Sequence, residues 1–345
     1  MGSHKGILDA LDALCKRSNS RTLRQLGLGI GASTGSTKNE MRIRLINQAR
    51  TLDILRSRRL DEGSLSIMGI DAGVSNFSLA KFCWPTDSRL PSLTGWDKFQ
   101  LEQKFLSDKE PAVLSLHPHE ITTVCGQLVQ TLDQEFGIPN LYAIERQRAR
   151  TMSSKSVLEP VLKSNILEHV LFATLFNRRQ YSATLPRMEY NVESSDPGRM
   201  TSYWMELPSM QGIKAEFQDN LKLEQTKLSG KNSKLLRINI VKRIIDAAVF
   251  NKDVPERLID LEPKLRNRLL DRITTDTNDY KLFDVLQLSP EQAGAKKDDD
   301  LADSFLHGLA WVQWLRTYND LYALAIKDLD SINLDDLRIS TNDQD

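Results

Sequence analysis

Residues 67–82, IMGIDAGVSNFSLAKF, form an apolar run that a single carboxylate, Asp71, interrupts. The run has the length and the period-2 character of an antiparallel β-hairpin whose turn lies in AGVSN. A buried charge costs several kcal/mol unless a partner compensates it. Asp71 is therefore either a turn residue or a ligand for a cation or a phosphate, and the rest of the chain has to decide.

Short apolar runs and helical patterns alternate along the rest of the chain. TGWDKFQL, NLYAIE and RMEYNVESS predict three further strands, at residues 94–101, 140–145 and 187–195. Helical periodicity marks four long segments, at residues 121–136, 156–179, 233–250 and 299–316. The pattern predicts an α/β fold. Two polar segments that contain proline are interpreted as insertions, at residues 208–232 and 251–295.

The charges balance over the whole chain but not along it. The 345 residues include 46 Lys and Arg against 46 Asp and Glu, yet residues 1–60 hold twelve basic and four acidic side chains. Residues 296–345 reverse this, with eleven acidic and five basic side chains. The asymmetry favours a polyanionic partner over a membrane. Three cysteines without paired spacing argue against a disulfide scaffold and against structural zinc.

Residues 5–55 form a basic helical segment, and the charged residues 56–65 are predicted to link it to the first strand. The pattern from Thr22 to Leu45 resembles the SAP motif, a small helix–turn–helix DNA-binding module. The alternative is a plain helical hairpin that is docked on the main domain. Both interpretations place four basic side chains on exposed faces where they could bind phosphates, namely Lys38, Arg42, Arg44 and Arg50.

Acidic side chains occur at three places where an acid is unfavourable for folding alone. Asp71 interrupts the first strand, and Glu145 ends the apolar run NLYAIE. The third place is the start of the last long helix, which carries Asp299, Asp300 and Asp303. Their i,i+3 and i,i+4 spacings put two carboxylates on one side of the first turn. Acids on two strands and a late helix are what a convergent metal site needs.

Each acidic feature also has a purely structural explanation. Asp71 precedes Ala-Gly and is compatible with a turn, and Glu145 could pair with Arg146 or Arg148. An Asp run before a helix is a common N-cap that also favours the helix dipole. Capping does not explain Asp303, which is expected to face back into the fold among apolar neighbours.

The donor set indicates which metal such a site would bind. Carboxylate oxygens without His or Cys suit Mg²⁺ or Mn²⁺ rather than zinc. Two such ions about 4 Å apart could activate a water molecule and stabilise the leaving 3′-oxygen of a phosphodiester. Because clustered acids repel one another until metal binds, the pattern also predicts stabilisation by Mg²⁺.

Four ordered motifs, GIDAGVSNFSLA, AIERQRARTMSS, VESSDPGRMTSYW and KKDDDLADSFLHGLAW, resemble those of the Holliday junction resolvases of the RuvC superfamily. The resemblance spans residues 66–320 and is greatest to the fungal mitochondrial, cruciform-cutting branch. It implies an RNase H-like (RuvC-type) mixed five-stranded sheet flanked by helices, with a SAP-like module before it. Residues 321–345 are then an acidic C-terminal tail.

The resemblance also implies an activity and a site. The expected enzyme is a homodimeric crossover junction endodeoxyribonuclease that nicks two opposed strands of a four-way junction in mitochondrial DNA recombination. The expected cofactor is Mg²⁺, or Mn²⁺ in its place, with two ions per site and no nucleotide. Asp71, Glu145 and Asp303 would be ligands together with either Asp299 or Asp300. The first residues, MGSH, look like an expression tag, so the mitochondrial matrix is expected from the resemblance alone.

Basic residues near the expected ligands agree with a DNA substrate, although each basic run is also typical of a solvated face. After Glu145 the candidates are Arg146, Arg148, Arg150 and Lys155. The others are Lys231, Lys234, Arg237, Lys242 and Arg243 on a predicted helix, and Lys296 and Lys297 before the last helix. His307 lies one turn after Asp303, where it could support a ligand, pack in the core or face solvent.

Three other functions compete with junction resolution. GIDAGVSN also resembles the first phosphate motif of actin-like, Hsp70 and sugar-kinase ATPases, but a second Asp-rich phosphate turn and a Gly-Gly adenosine segment are not found in the sequence. A non-catalytic protein that binds branched DNA would leave the acids without a role. An RNase H-like transposase or a structure-general endonuclease would use the same acids on another substrate.

Overall fold

The computed structural model describes residues 4–107, 113–115, 117–147, 159–181, 190–220, 230–275, 280–286, 288 and 298–327. The chain begins with three helices, α1 (His4–Arg17), α2 (Ser20–Ile30) and α3 (Lys38–Asp61). The side chains of Asn19 and Thr37 accept hydrogen bonds from backbone N–H groups in the first turns of α2 and α3, as N-caps do.

A mixed sheet forms the centre of the molecule. Its strands are β1 (Ser64–Ala72), β2 (Phe77–Pro85), β3 (Ser92–Phe99), β4 (Leu141–Glu145), β5 (Asn191–Ser195) and β6 (Asp260–Leu261). The order is β5-β4-β1-β2-β3-β6, with β1, β2 and β3 antiparallel in turn and β4 parallel to both β1 and β5. The mixed sheet and its five predicted strands are confirmed, and the two-residue β6 was not predicted.

Helices cover both faces of this sheet. After β3 come α4 (Leu101–Phe105) and α5 (Pro118–Phe136), and α6 (Glu159–Tyr181) follows β4. After β5 come α7 (Pro197–Glu206), α8 (Gln211–Asn220) and α9 (Gly230–Val249). The chain continues with α10 (Pro263–Thr275), α11 (Leu282–Val285) and α12 (Asp299–Lys327). No helix in the described part of the chain is long and apolar enough to cross a bilayer.

Successive side chains of the central strands pack into two different hydrophobic layers, one on each face of the sheet, because side chains alternate between the faces of a strand. Met68 and Ile70 pack on one face in the layer that includes α5 and α6. Ile67 and Phe82 pack on the other face in the layer that includes α7, α9 and α12. The site described below lies where the second layer meets the carboxyl end of β1.

Helix α12 crosses β1 at backbone distance. A Cβ atom on Gly69 would lie 2.2 Å from the carbonyl oxygen of Ser304 and 2.4 Å from the backbone nitrogen of Gly308. Only glycine permits this approach, since any side chain would overlap the helix backbone. The close crossing holds the first turn of α12 beside the end of β1.

The N-terminal helices share the core of the sheet domain, and the SAP-like module expected there stays a prediction. Leu26 and Leu52 are buried in the same cluster as Trp314, and Tyr318 donates a hydrogen bond to buried Asp53 at 3.2 Å. The predicted linker at 56–65 is instead the last part of α3, which continues to Asp61, followed by a short turn and the start of β1 at Ser64. The charged pattern there was misleading because these side chains bind the sheet domain: Arg59, for example, donates to the carbonyl oxygen of Trp84.

The two predicted insertions also contribute to the core. Met210 and Phe217 from the first, and Leu269 and Leu282 from the second, are buried in the layer around α9 and α12. The last helix continues through Lys327, beyond the predicted end of the catalytic domain, and Leu321 and Tyr322 are buried. Residues 328–345 of the predicted acidic tail lie outside the described residues.

Candidate metal centre

Three of the predicted acidic residues meet at one end of the sheet. Asp71 lies near the carboxyl end of β1, and Glu145 ends the parallel neighbour β4. Asp303 projects from the first turns of α12, and one carboxylate oxygen of each residue lies within 4.8 Å of the other two. Since adjacent parallel strands end at the same edge, the topology itself brings Asp71 and Glu145 together.

The electrostatics of this cluster reflect carboxylates that are buried close to one another. Burial, reinforced by Glu145, Asp300 and Asp303, raises the pKa of Asp71 well above its usual value. Burial also raises the pKa of Asp303, to about 6, although Arg237 opposes the shift. Buried carboxylates that repel one another favour a divalent cation, which would neutralise them without a proton.

Glu145 has a different environment. Although burial opposes its ionisation, the nearby His307 and Arg237 lower its pKa. The His307 side chain is fully buried, and its Nδ1 lies 2.7 Å from Ser195 Oγ on β5. Its Nε2 lies 3.6 Å from Glu145 Oε2, and among the described residues neither of these two atoms has a hydrogen-bond partner. A buried, unpartnered carboxylate oxygen beside two other acids fits a metal ligand.

The aspartates at the start of α12 are each paired with a cation. Lys234 Nζ lies 2.5 Å from Asp299 Oδ2, and Lys98 Nζ lies 2.8 Å from Asp300 Oδ2. Arg237 binds Asp303 through both oxygens, with Nε–Oδ1 at 2.6 Å and Nη2–Oδ2 at 3.0 Å. Asp299 and Asp300 both line the same cleft as the three clustered acids.

Three residues of the site, Lys98, Gln147 and Glu168, were not predicted from the sequence. Lys98 is almost fully buried on β3, with Asp300 as its partner. Gln147 donates to Asp71 Oδ1 at 3.2 Å, and its backbone N–H donates to buried Glu168. The period-2 pattern of TGWDKFQL puts Lys98 on the same face as buried Trp96, and this signal could have found it. Nothing in the sequence singles out Gln147 or Glu168.

A cleft of about 610 Å³ opens over the acids. Its walls come from the loop after β1, the start of α6, the start of α12 and one face of α9, and they carry the cations Lys163, Lys234 and Arg237. The cleft therefore places positive side chains beside a carboxylate cluster, an arrangement that suits a phosphodiester and a bound metal together.

The other basic candidates lie elsewhere or have local partners. Arg146 pairs with Asp196, Lys231 is exposed, and Lys242 lines a separate pocket of about 590 Å³ with Tyr280. In the N-terminal segment, the partners are the Lys16 carbonyl oxygen for Lys38, Asp12 for Arg42, and Glu40 for Arg44. Five candidates lie outside the described residues: Arg148, Arg150, Lys155, Lys296 and Lys297.

The fold and the site together define an RNase H-like α/β protein with a carboxylate cluster at the end of its central strands. A family model, mitochondrial resolvase Ydc2 / RNA splicing MRS1, matches residues 67–321. The chain belongs to this family. The match agrees with the family that the sequence motifs indicated and sets aside the ATPase alternative.

Two relatives and one solved structure illustrate the membership. The chain is 37% identical over 324 residues to mitochondrial cruciform cutting endonuclease 1 of Saccharomyces cerevisiae, covering 92% of this chain and 88% of the relative. It is 25% identical over 331 residues to the mitochondrial RNA-splicing protein MRS1 of Saccharomyces paradoxus, covering 94% and 87%. The crystal structure of the yeast mitochondrial Holliday junction resolvase Ydc2 matches with a TM-score of 0.53 at 19% identity, over 90% of this chain and 99% of that one. The match confirms the expected fold, and the names of the relatives agree with the expected mitochondrial localisation.

Proposed function

We propose that this protein is a structure-selective endonuclease that resolves four-way DNA junctions in mitochondria by Mg²⁺-dependent hydrolysis. The observation that carries the proposal is the convergence of Asp71, Glu145 and Asp303 in a cleft that also presents cations. The names of the relatives, a cruciform cutting endonuclease and a Holliday junction resolvase, supply the substrate class.

Asp71, Glu145 and Asp303 would hold Mg²⁺, with Mn²⁺ as a substitute, and two ions per site agree with four available acids. When bound, such ions activate a water molecule and stabilise the leaving 3′-oxygen. For the fourth ligand we propose Asp300 rather than Asp299, because Ser78, which lies opposite Asp71 on β2, donates a hydrogen bond to the Asp300 carbonyl oxygen and so holds this residue beside Asp71. Gln147 orients Asp71 by its hydrogen bond, and Lys163 is placed to bind backbone phosphate.

For the expected homodimer we propose one face of α6 as the interface. Leu162, Ile166, His169, Ala173 and Phe176 are spaced alternately by four and three residues, which is the repeat of a helix-packing seam. On this face Ile166 is half-buried and the other four residues are exposed. Leu162 and Phe176 are each 40% exposed. If two copies of α6 pair antiparallel about His169, Leu162 of one copy lies against Phe176 of the other at each end of the seam. We expect Phe176→Asp to convert a dimer into monomers in analytical ultracentrifugation, whereas the exposed Asn177→Asp should leave the dimer intact.

The decisive test of activity compares substrates and metals. The protein is incubated with a synthetic four-way junction, with a linear duplex of matched sequence and with ATP, each with and without Mg²⁺. Paired, symmetric nicks in the junction alone support the proposal. ATP hydrolysis with intact DNA would overturn it, and equal cutting of the linear duplex would indicate a general endonuclease.

A substitution then connects the activity to the site. Asp71→Asn keeps the shape of the side chain and removes its charge, so we expect cutting to be lost while the Kd for the junction stays within about threefold of wild type. Loss of binding together with cutting would make Asp71 a structural residue and remove the support for the metal site.

A further inference from the structure

The three ion pairs at the start of α12 differ in how far the cation is exposed to the cleft. The Lys98 side chain is fully enclosed, and Lys98 is not among the residues that line the cleft. The Lys234 side chain is 56% exposed and that of Arg237 is 12% exposed, and both line the cleft. Lys234 and Arg237 are three residues apart on α9 and therefore project from one side of the helix.

The position of Arg237 conflicts with a bound metal. Its guanidinium occupies both carboxylate oxygens of Asp303, whose ligand oxygen is one of the three that converge. A divalent cation at the cluster would lie close to that guanidinium and repel it. Backbone phosphate is an alternative partner for the same group, because guanidinium binds phosphate and carboxylate with the same paired geometry.

Lys234 repeats this arrangement at the rim of the cleft. It pairs with Asp299, and its exposed side chain is free to rotate toward a strand that enters from solvent. The same two cations thus have acids as partners in the protein alone and would have phosphates as partners in a complex.

We infer that Arg237 and Lys234 are exchangeable counter-cations. They neutralise Asp303 and Asp299 before substrate arrives, and they transfer to the phosphates of the junction when DNA enters the cleft. The released Asp303 carboxylate then binds the divalent cation, and the departure of Lys234 from Asp299 opens the rim of the cleft to the strand, so DNA binding and metal binding reinforce each other reciprocally. The inference rests on the proposed function, and it makes α9 the element that delays metal loading until substrate is present.

Two measurements on Arg237→Gln test the exchange, and neither depends on cutting. In the absence of DNA, Mn²⁺ binding is followed by the EPR signal of the free ion, and we expect the variant to bind about tenfold more tightly than wild type. In EDTA, junction binding is followed by fluorescence anisotropy over a salt series. We expect weaker binding, with the slope of log K against log salt reduced by about 1, since one phosphate contact is lost.

The opposite directions of the two effects separate exchange from damage, because a misfolded variant would lose both kinds of binding. Arg243→Gln is the matched control because it removes the same charge from the same helix. Arg243 pairs with Glu216, away from the acidic cluster. The affinities of this variant for Mn²⁺ and for the junction should therefore equal those of wild type. Arg237→Lys should restore most of the junction affinity and keep Mn²⁺ binding weak.

An Arg237→Gln variant whose Mn²⁺ affinity equals or falls below that of wild type overturns the inference and leaves the proposed function standing. Wild-type protein that binds no Mn²⁺, with or without the junction, overturns both.

Discussion

Replacing Gly69 by alanine tests whether the crossing of α12 over β1 builds the site. The added Cβ would lie 2.2 Å from the Ser304 carbonyl oxygen, whereas ordinary contact begins at 3.4 Å. Because the opposing atoms are backbone, the helix itself has to retreat by about 1 Å. Overpacking of this kind costs about 3 kcal/mol, the upper end of the usual range. For 345 residues, at about 2.1 cal/mol/K each, the melting temperature should fall by about 4 °C.

The same displacement moves Asp303, which directly precedes Ser304, away from Asp71. Metal coordination tolerates deviations of only about 0.2 Å, so Gly69→Ala should also lose the stabilisation that we expect from Mg²⁺. The assay is thermal unfolding by circular dichroism with and without Mg²⁺. The control is Gly126→Ala on α5, where a Cβ would have nothing within 4 Å. This substitution should be neutral or should stabilise the protein by up to about 1 kcal/mol. A Gly69→Ala protein that melts with wild type and keeps its response to Mg²⁺ would refute the reasoning.

Three further predictions concern single groups of the site. Lys98→Met leaves the partly buried Asp300 carboxylate without its cation, so the free energy of unfolding in urea should fall by about 3 kcal/mol; an unchanged value would show that the pair adds nothing. The raised pKa of Asp303, about 6, means that the folded metal-free protein binds this proton more tightly than the unfolded chain. The free energy of unfolding of the metal-free protein should therefore rise by up to about 3 kcal/mol as the pH falls from 7 to 4. Mn²⁺ binding should weaken below pH 6. Urea titrations and EPR at each pH measure the two effects, and values that do not change with pH would contradict the prediction. His307→Ala removes the imidazole beside Glu145 and should weaken Mn²⁺ binding about tenfold. The helical circular dichroism signal should not change. An Mn²⁺ affinity equal to that of wild type would mean that His307 only fills space.

Much of the sheet and the acidic cluster could be predicted because their signals are local. An acid that interrupts or ends a short apolar run is conspicuous, and Asp71 and Glu145 both do this. Once two parallel strands are assumed to be neighbours, their final residues must meet, whatever separates them along the chain. Asp303 could be added because helix periodicity places it among apolar neighbours, where capping does not explain an acid.

Features that depend on distant partners could not be predicted in this way. Lys98 and Asp300 are 202 residues apart, so the pattern of β3 can mark Lys98 as buried but cannot identify the acid with which it pairs. The charged end of α3 was mistaken for a linker for the same reason, because Arg59 finds its acceptor only on β2. The segments interpreted as insertions were recognised by their polar runs and prolines, but their apolar residues pack against α9 and α12 once those helices are in place.

The hydrogen bond between Tyr318 and Asp53 has a consequence for genetic studies of this chain. It connects the N-terminal helices to the same helix that carries Asp303, fifteen residues earlier. A search for inactive alleles would therefore recover changes at Asp53 and its neighbours, although none of them touches a reacting atom. Such alleles should be recognisable because lower growth temperature would rescue them, whereas alleles at Asp71 would stay inactive at every temperature.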